Sequence, residues 1–531
     1  MNGYFSAGDW VVILLYLLGI IGLGIWFGKD QRNTRDYFLG SKNVPWWGIG
    51  MSIVAAETSA LTIIGVPSMA YGGNIAFLQM ILGYVIARVL LAIVLVPHYF
   101  AGEIYSPYQL FANAFGPPSR QAAGGFFLLS EMLAAGVRVY VASIPVKLML
   151  GDRLLGFGTG DPILGAIVLF VLLSLVYTYI GGVKAVIWTD AAQFGLFLLG
   201  GLFALCYIPS LVPGGIATVF AKAADAGKLH WLNVAPQPGT SWIAFLAGAP
   251  FNLWMGLIGG TVMVLSSHGA EQLIVQRVLA CKSIADGRKA LMLSAVVIFP
   301  LFLIFLLVGA MLWVFYQGHP FQIPLPQSRP GIRANDFIFP IFMMTEVPHV
   351  LKGFLIVAIL SAAMSSVSSA LTSLASVSTM DFVKHLLPNR SEGFFLRFSK
   401  RSTVVWAGIL IGVAYLSRQV EFVLNAAFSL RGLTSGALLG GLLLAVFWKK
   451  GRSAPVVIGM LVSLGVMTAI QTFPRFWSSY FGAEIFWPWY TLIGASLMLS
   501  TAWVLRKLST YRGIRRIDDK SMSSEQEHEQ D

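Results

Sequence analysis

Apolar runs of about twenty residues recur along the whole chain, separated by short polar stretches. Runs of that length match the hydrocarbon thickness of a bilayer. The pattern predicts about thirteen membrane-spanning helices, near 9–27, 45–70, 75–98, 122–149, 161–180, 185–208, 241–267, 290–316, 349–381, 402–418, 422–447, 454–472 and 485–506. The longest polar stretches, 209–240 and 317–348, have room for a short surface helix each. The expected fold class is an all-α integral membrane protein.

Two spans interrupt the apolar pattern. In FLIVAILSAAMSSVSSALTSLASVSTMDF (354–382), Ser361, Ser365, Ser368, Ser369, Thr372 and Ser376 recur three or four residues apart. That spacing stacks them on one helix face. Hydroxyls in hydrocarbon need partners. Helix packing through small residues accounts for Ala362 and Ala363, whereas a row of hydroxyls is also a set of hard oxygen ligands for a small cation. The other span, VPWWGIGMSIVAAETSALTIIGVPSMAYGG (44–73), puts Glu57 near mid-membrane among small and hydroxylated residues, with Gly65-Val66-Pro67 following. This reads as a helix broken in mid-membrane, where freed carbonyls bind an ion and helix ends face a solute. An ionisable residue at that depth marks function by default. Trp46 and Trp47 read as an interfacial aromatic pair.

Composition strengthens this reading. Charged residues are 11% of the 531 and hydrophobic ones 56%, with mean hydropathy +0.75, where soluble domains carry about a quarter charged residues. A net charge of +12 would suggest nucleic acid in a soluble protein. Here about 24 of the 36 Lys and Arg fall in alternate loops, from KDQRNTRDYF (29–38) to the tail after Leu505, and about 9 in the opposite set. Basic loops are cytoplasmic, so the N-terminus is expected outside, the C-terminus inside, and nucleic acid is not a partner. Arg88, Arg138 and Arg431 lie within apolar segments. The first span, with no basic cluster before it and no small-residue cleavage pattern after it, is expected to be retained. Cys206 and Cys281 offer neither a disulfide framework nor a metal motif. Seven histidines without HExxH or GxSxG argue against a membrane enzyme.

Four stretches carry a resemblance: DYFLGSKNVPWWGIGMSIVAAETSA (36–60), YIGGVKAVIWTDAAQ (179–193), EQLIVQRVLACKS (271–283) and AAMSSVSSALTSLASVSTMD (362–381). The chain resembles the sodium/solute symporter family, whose fold is the LeuT type with inverted five-helix repeats. The resemblance implies a first helix and loop at 1–44 and a ten-helix transport core at 45–448 with repeats near 45–208 and 241–448. Two peripheral helices then follow at 449–506, and a disordered cytoplasmic tail at 507–531. It implies a sodium ion held by the carbonyls of Ala55, Thr58 and Ala362 and the hydroxyls of Ser365 and Ser366. Positions three apart on a helix face one way, so Ala362 and Ser365 are able to share an ion. Asp190, Ser365, Ser368 and Ser369 match a second sodium site of some members; the competing role for Asp190 is to cap a helix end or pair with Lys184.

The solute site is expected at Glu57, Ser59, Thr62, Arg138, Ser267, His268, Gln272 and Arg431. Ser267 and His268 stand where the sugar-carrying branch has an aromatic gate, and Glu57 where it has an amide. A guanidinium matches a carboxylate fork to fork. Arg138, and Arg431 beside Gly432 in an expected broken helix, either clamp an acidic solute or pair with Glu57, Glu131 or Asp190. The expected function is a sodium-coupled secondary active symporter, a monomer in a bacterial inner membrane, importing a sugar, sialic acid or organic acid by alternating access. Proton coupling through His268 and a transporter-like sensor are the alternatives. A sensor is expected to carry a cytoplasmic domain larger than this tail.

Overall fold

The computed structural model describes residues 5–508 apart from 29–32, 43, 103, 152–159, 249, 326, 330, 331, 334, 420–422, 449 and 450. The expected disordered tail lies almost wholly outside the described residues. Among the described residues, the regular structure is helical apart from one short antiparallel hairpin, β1 (Gln327–Arg329) with β2 (Ile332–Arg333). Its principal helices are α1 (Ala7–Phe27), α2 (Trp46–Glu57), α3 (Ala60–Gly72), α4 (Leu78–Leu90), α5 (Pro117–Leu150), α6 (Pro162–Ser210), α7 (Thr261–Gly269), α8 (Gln272–Leu279), α9 (Ile284–Gly318), α10 (Leu351–Val377), α11 (Glu392–Leu416), α12 (Val423–Phe447) and α13 (Ser453–Thr472). Residues 490–508 form one more. The chain is a multi-pass membrane protein. Among the described residues, seven helices are long and apolar enough to cross a bilayer, and α2 with α3 makes an eighth bent by 53°.

The two crossings expected at 161–180 and 185–208 are the two arms of α6, 49 residues in all, which meet at Gly182. Straight, it would measure about 74 Å, over twice the hydrocarbon thickness. It bends at Gly182, whose φ of +54° suits glycine alone. The surface helix expected in 209–240 is present as Gly215–Asp225, whereas the helix in 317–348, Ile338–Thr345, is not at the surface: its apolar residues Ile338 to Met344 are all buried. The break expected beside Gly432 is absent: α12 continues through it, and the missing side chain lets Tyr490 pack against the helix, 2.9 Å from where a Cβ would stand.

α10 is the axis of the molecule. Apart from Leu351 and Phe354 it is buried throughout, and its most extensive partner is α6. Most of its hydroxyls bond back to their own helix: Ser366 to the Ala362 carbonyl (3.1 Å), Ser369 to Ser365 (2.7 Å), Thr372 to Ser368 (2.7 Å). This is how a polar stripe persists in an apolar interior. α1 runs along both α6 and α10. Its Asp9 is fully buried and caps two helices with one carboxylate. Oδ2 accepts from the Ser6 amide (2.8 Å), and Oδ1 from the amides of Val350 (2.8 Å) and Gly353 (3.1 Å) at the start of α10. Those bonds hold Val350 at φ +71°, a conformation costing a β-branched residue about 1–3 kcal/mol.

The turn Asn335–Phe337 packs on α3. Burial pushes the Asp336 carboxyl up to about 6, from an ordinary 3.8, despite a hydrogen bond with Ser68 that lowers it. A raised folded-state value means the packing is fully favourable below pH 3.8 and is lost as pH rises through about 6. Amides 335–345 are therefore expected to exchange faster at pH 7 than at pH 5 after correction for intrinsic rates. Equal protection at both would contradict this.

Candidate functional site

The break between α2 and α3 follows from its sequence. The amide and hydroxyl of Thr58 both bond to the Val54 carbonyl (2.8 and 2.6 Å), closing α2, and Thr58 itself is extended (φ −86°, ψ 119°). The Ser59 amide turns forward to the Thr62 hydroxyl (3.3 Å), and the Thr62 amide returns to the Ser59 carbonyl (2.8 Å). A continuous helix would send the Ser59 amide back to Ala55. Hydroxyl residues thus replace helix bonds on both sides of the bend.

Ala55, Thr58, Ala362, Ser365 and Ser366 are all buried, and α2 packs on α10. Ser365 gives its proton to Asp190 Oδ1 (2.6 Å) and Ser366 gives its own to Ala362. A hydroxyl that has donated its proton keeps lone pairs for a cation.

Asp190 gathers more than its expected partners. Ser52 donates to Oδ2 (2.6 Å) and so does Arg277 (2.8 Å), which also bonds Ser52 through Nε (2.8 Å) and reaches the Ser369 hydroxyl through Nη2. The carboxylate's counter-ion is therefore Arg277, not Lys184. Of the second sodium set, Asp190 bonds Ser365 directly and is linked to Ser369 through Arg277; the Ser368 and Ser369 hydroxyls both donate to the Ser365 carbonyl (2.9 and 2.7 Å). Arg277 joins α8, α2, α6 and α10 at one point.

A cavity opens at the α2–α3 bend, lined by Glu57, Ser59, Thr62, Tyr84, Arg138, Ser267, His268 and Arg431 together with apolar side chains. Seven of the eight residues expected to meet solute are there. Gln272 is the exception. It opens α8 beyond the α7–α8 break and is buried against α10, donating to the Tyr105 carbonyl (2.8 Å) and Ser376 (3.1 Å).

Every charged group of the lining has a partner behind it. Glu57 Oε2 pairs with Arg88, which is fully buried and also bonds Ser294 (3.1 Å) and the Tyr84 carbonyl (2.9 Å). Arg138 pairs with Glu131, and Arg431 pairs with both oxygens of Glu271 through Nε (3.0 and 2.8 Å). His268 Nε2 lies 3.2 Å from Arg88 Nη2 and Nδ1 lies 2.8 Å from the Ser267 hydroxyl. The same Nε2 lies 3.5 Å from Glu57 Oε2, so His268 sits between a guanidinium and a carboxylate.

These pairs use Glu57 Oε2, Nη2 of Arg138 and both Nε and Nη2 of Arg431, while Arg138 Nε donates to the Ala134 carbonyl (3.3 Å). Among the described residues, Glu57 Oε1 and Nη1 of Arg138 and of Arg431 make no bond. The cavity thus offers two cationic donors and one anionic acceptor, beside the hydroxyls of Thr62, Ser267 and Tyr84.

Arg88, Glu271, Arg277 and Ser52 were missed as partners. Arg88 had a signal, a cation within an apolar run. Glu271 and Arg277 fall in EQLIVQRV, which reads as a solvated loop, yet residues 264–281 are almost wholly buried.

The same architecture recurs in known proteins. SiaT, a sodium/sialic acid symporter of Proteus mirabilis (strain HI4320), is 29% identical over 501 residues, 92% of this chain and 93% of its own. The human sodium/iodide cotransporter is 27% identical across 87% of this chain and 69% of its own. The solved substrate-bound, outward-open structure of a Na+-coupled sialic acid symporter matches with a TM-score of 0.81 at 26% identity, over 95% of this chain and 98% of that one. MHP1, a nucleobase-cation-symport-1 family transporter, shares the fold at a TM-score of 0.52 and 14% identity. The sequence model of the sodium:solute symporter family matches residues 37–463, and the chain belongs to that family.

Proposed function

We propose that this sodium-coupled symporter imports a small hydroxylated organic acid of the sialic acid or sugar-acid class, by alternating access. One observation carries the reading. The cavity at the bend combines unused N–H donors on Arg138 and Arg431 with an unused carboxylate oxygen on Glu57. A solute carboxylate suits the guanidinium donors, and solute hydroxyls suit Glu57, Ser59, Thr62 and Ser267. Two sodium/sialic acid symporters among the relatives, from Proteus mirabilis and Aliivibrio fischeri, support the same class.

Sodium binds at Ala55, Thr58, Ala362, Ser365 and Ser366, next to the bend that also forms the solute cavity. Each ligand therefore orders the helix that the other needs, and each raises the other's affinity. A second sodium at Asp190, Ser368 and Ser369 has to displace Arg277 from the carboxylate, or share it. A Hill coefficient for sodium above one supports that ion. The protein is a transporter rather than an enzyme, with about thirteen crossings once the two arms of α6 are read separately. It works as a monomer in a bacterial inner membrane, its N-terminus outside and C-terminus in the cytoplasm, as the basic loops indicate.

Uptake into proteoliposomes tests this. Labelled sialic acid, a monocarboxylate, a neutral hexose and iodide are offered under an imposed sodium gradient or an imposed proton gradient. Sodium-driven accumulation of a hydroxylated acid, with no response to protons alone, is expected. Accumulation of only the hexose or iodide would refute the solute class, and proton-driven uptake would refute the coupling ion.

A further inference from the structure

α1 lies outside the ten-helix core, yet it grips the hydroxyl helix and its neighbour at three heights. At one end Asp9 caps the start of α10, and Gly353 lies so close that a Cβ there would stand 2.8 Å from the Asp9 carbonyl. At mid-length Tyr16 reaches inward. Its hydroxyl accepts from Gln193 Nε2 (3.0 Å) and lies 3.7 Å from Met364 Sδ. At the far end Gly24 packs on the Tyr177 Cβ and Gly28 on the Gly181 backbone, beside the bend of α6. Tyr177 in turn donates to the Met364 carbonyl (3.0 Å).

The middle contact matters most. Gln193 lies one turn beyond Asp190 on α6, and Met364 stands beside Ser365 on α10. Asp190 and Ser365 are themselves joined at 2.6 Å. Tyr16 therefore ties together the layer of α6 and α10 adjacent to the one that holds the sodium oxygens. Cation affinity depends on oxygen positions held to within about 0.5 Å. A tether one turn away is close enough to set them.

We propose that Tyr16 is a positioning residue for sodium: acting through Gln193 and Met364, it fixes the register of α6 against α10, so that a helix outside the core sets the core's sodium affinity. The inference rests on the reading of α10 as the sodium-binding helix. α1 is thereby a working part of the ion site, and its attachment at Asp9 and Gly28 keeps Tyr16 at the right height.

The test uses the purified full chain and sodium alone as the probe. Thermal unfolding is followed as sodium replaces choline. Tyr16→Phe is expected to raise the sodium concentration giving half-maximal stabilisation by roughly fivefold, the equivalent of one hydrogen bond. It also leaves the Gln193 amide without its partner, so the sodium-free midpoint falls slightly. The double variant Tyr16→Phe/Gln193→Met removes both polar groups with little change of shape, and its sodium-free midpoint is expected to recover. Its sodium requirement stays raised. Recovery of both together, or an unchanged sodium requirement in Tyr16→Phe, would overturn the proposal by making the contact structural only. The Ser365/Ser366 variant measured in the same assay separates the two readings. If it too leaves the sodium response unaltered, the assignment of α10 fails; if it alone shifts the response, only the role of Tyr16 fails.

Discussion

Replacing Ser365 and Ser366 together by alanine is expected to raise the sodium concentration for half-maximal uptake at least a hundredfold while leaving the protein folded. Two of five proposed oxygens disappear. A polar contact to a charged partner is worth about 1.5–3 kcal/mol, so two losses span roughly a hundredfold to ten-thousandfold. The fold should tolerate the change. Asp190 keeps Ser52 and Arg277 when Ser365 is lost. Ser366 forfeits only a bond to its own helix, and alanine is the best helix former. Sodium dependence of uptake in proteoliposomes is the measurement. A half-saturation within threefold of the parent protein would put the ion elsewhere.

Glu57→Gln is expected to weaken solute and sodium binding together and to destabilise the protein by about 3–5 kcal/mol, the cost of leaving a buried partner charge uncompensated. That partner is Arg88, which has no exposed surface. Glutamine retains the size of Glu57 and an oxygen that can accept from Arg88, so the change isolates charge. The double variant Glu57→Gln/Arg88→Gln removes both charges and should regain much of the stability, because two neutral amides need no counter-ion. Solute affinity should not return with it, since the anionic acceptor in the cavity is gone. Thermal unfolding and binding calorimetry on both variants decide the matter. Wild-type affinities in Glu57→Gln would reduce Glu57 to a strut for Arg88.

The site was largely legible where it follows helix periodicity and composition. Hydroxyls three or four apart can only stack, and AAETSA in an apolar run can hardly remain a plain helix, so the α10 stripe and the α2–α3 bend could be read from residues alone. The partners could not. Glu57 and Arg88 are 31 positions apart, Asp190 and Arg277 are 87 apart. Which of several buried cations meets which carboxylate depends on how helices are arranged. Sequence weighed Arg138 and Arg431 against Glu57, Glu131 and Asp190, and only the Arg138–Glu131 pairing was among them. Glu271 and Arg277 were hidden by a period of polar residues that resembles a loop. Gln272 failed for a related reason: the break at 270–271 reorients the chain, so its neighbour in sequence, Glu271, and Gln272 itself point to different places. The bend of α6 was legible, since Gly181-Gly182 falls between the spans expected at 161–180 and 185–208.

The pairing of arginine with carboxylate also bears on how the transporter feels membrane voltage. A unit charge moved across the full field is worth about 2.3 kcal/mol per 100 mV. Glu57 with Arg88, Glu131 with Arg138, Asp190 with Arg277 and Glu271 with Arg431 are four such charges twice over, each cancelled at contact distance. Pairs that travel as units displace no net charge, however far the helices rock. If the pairs stay intact through the cycle, the electrical work falls on the cargo, which predicts that charge movement in the absence of solute follows sodium alone.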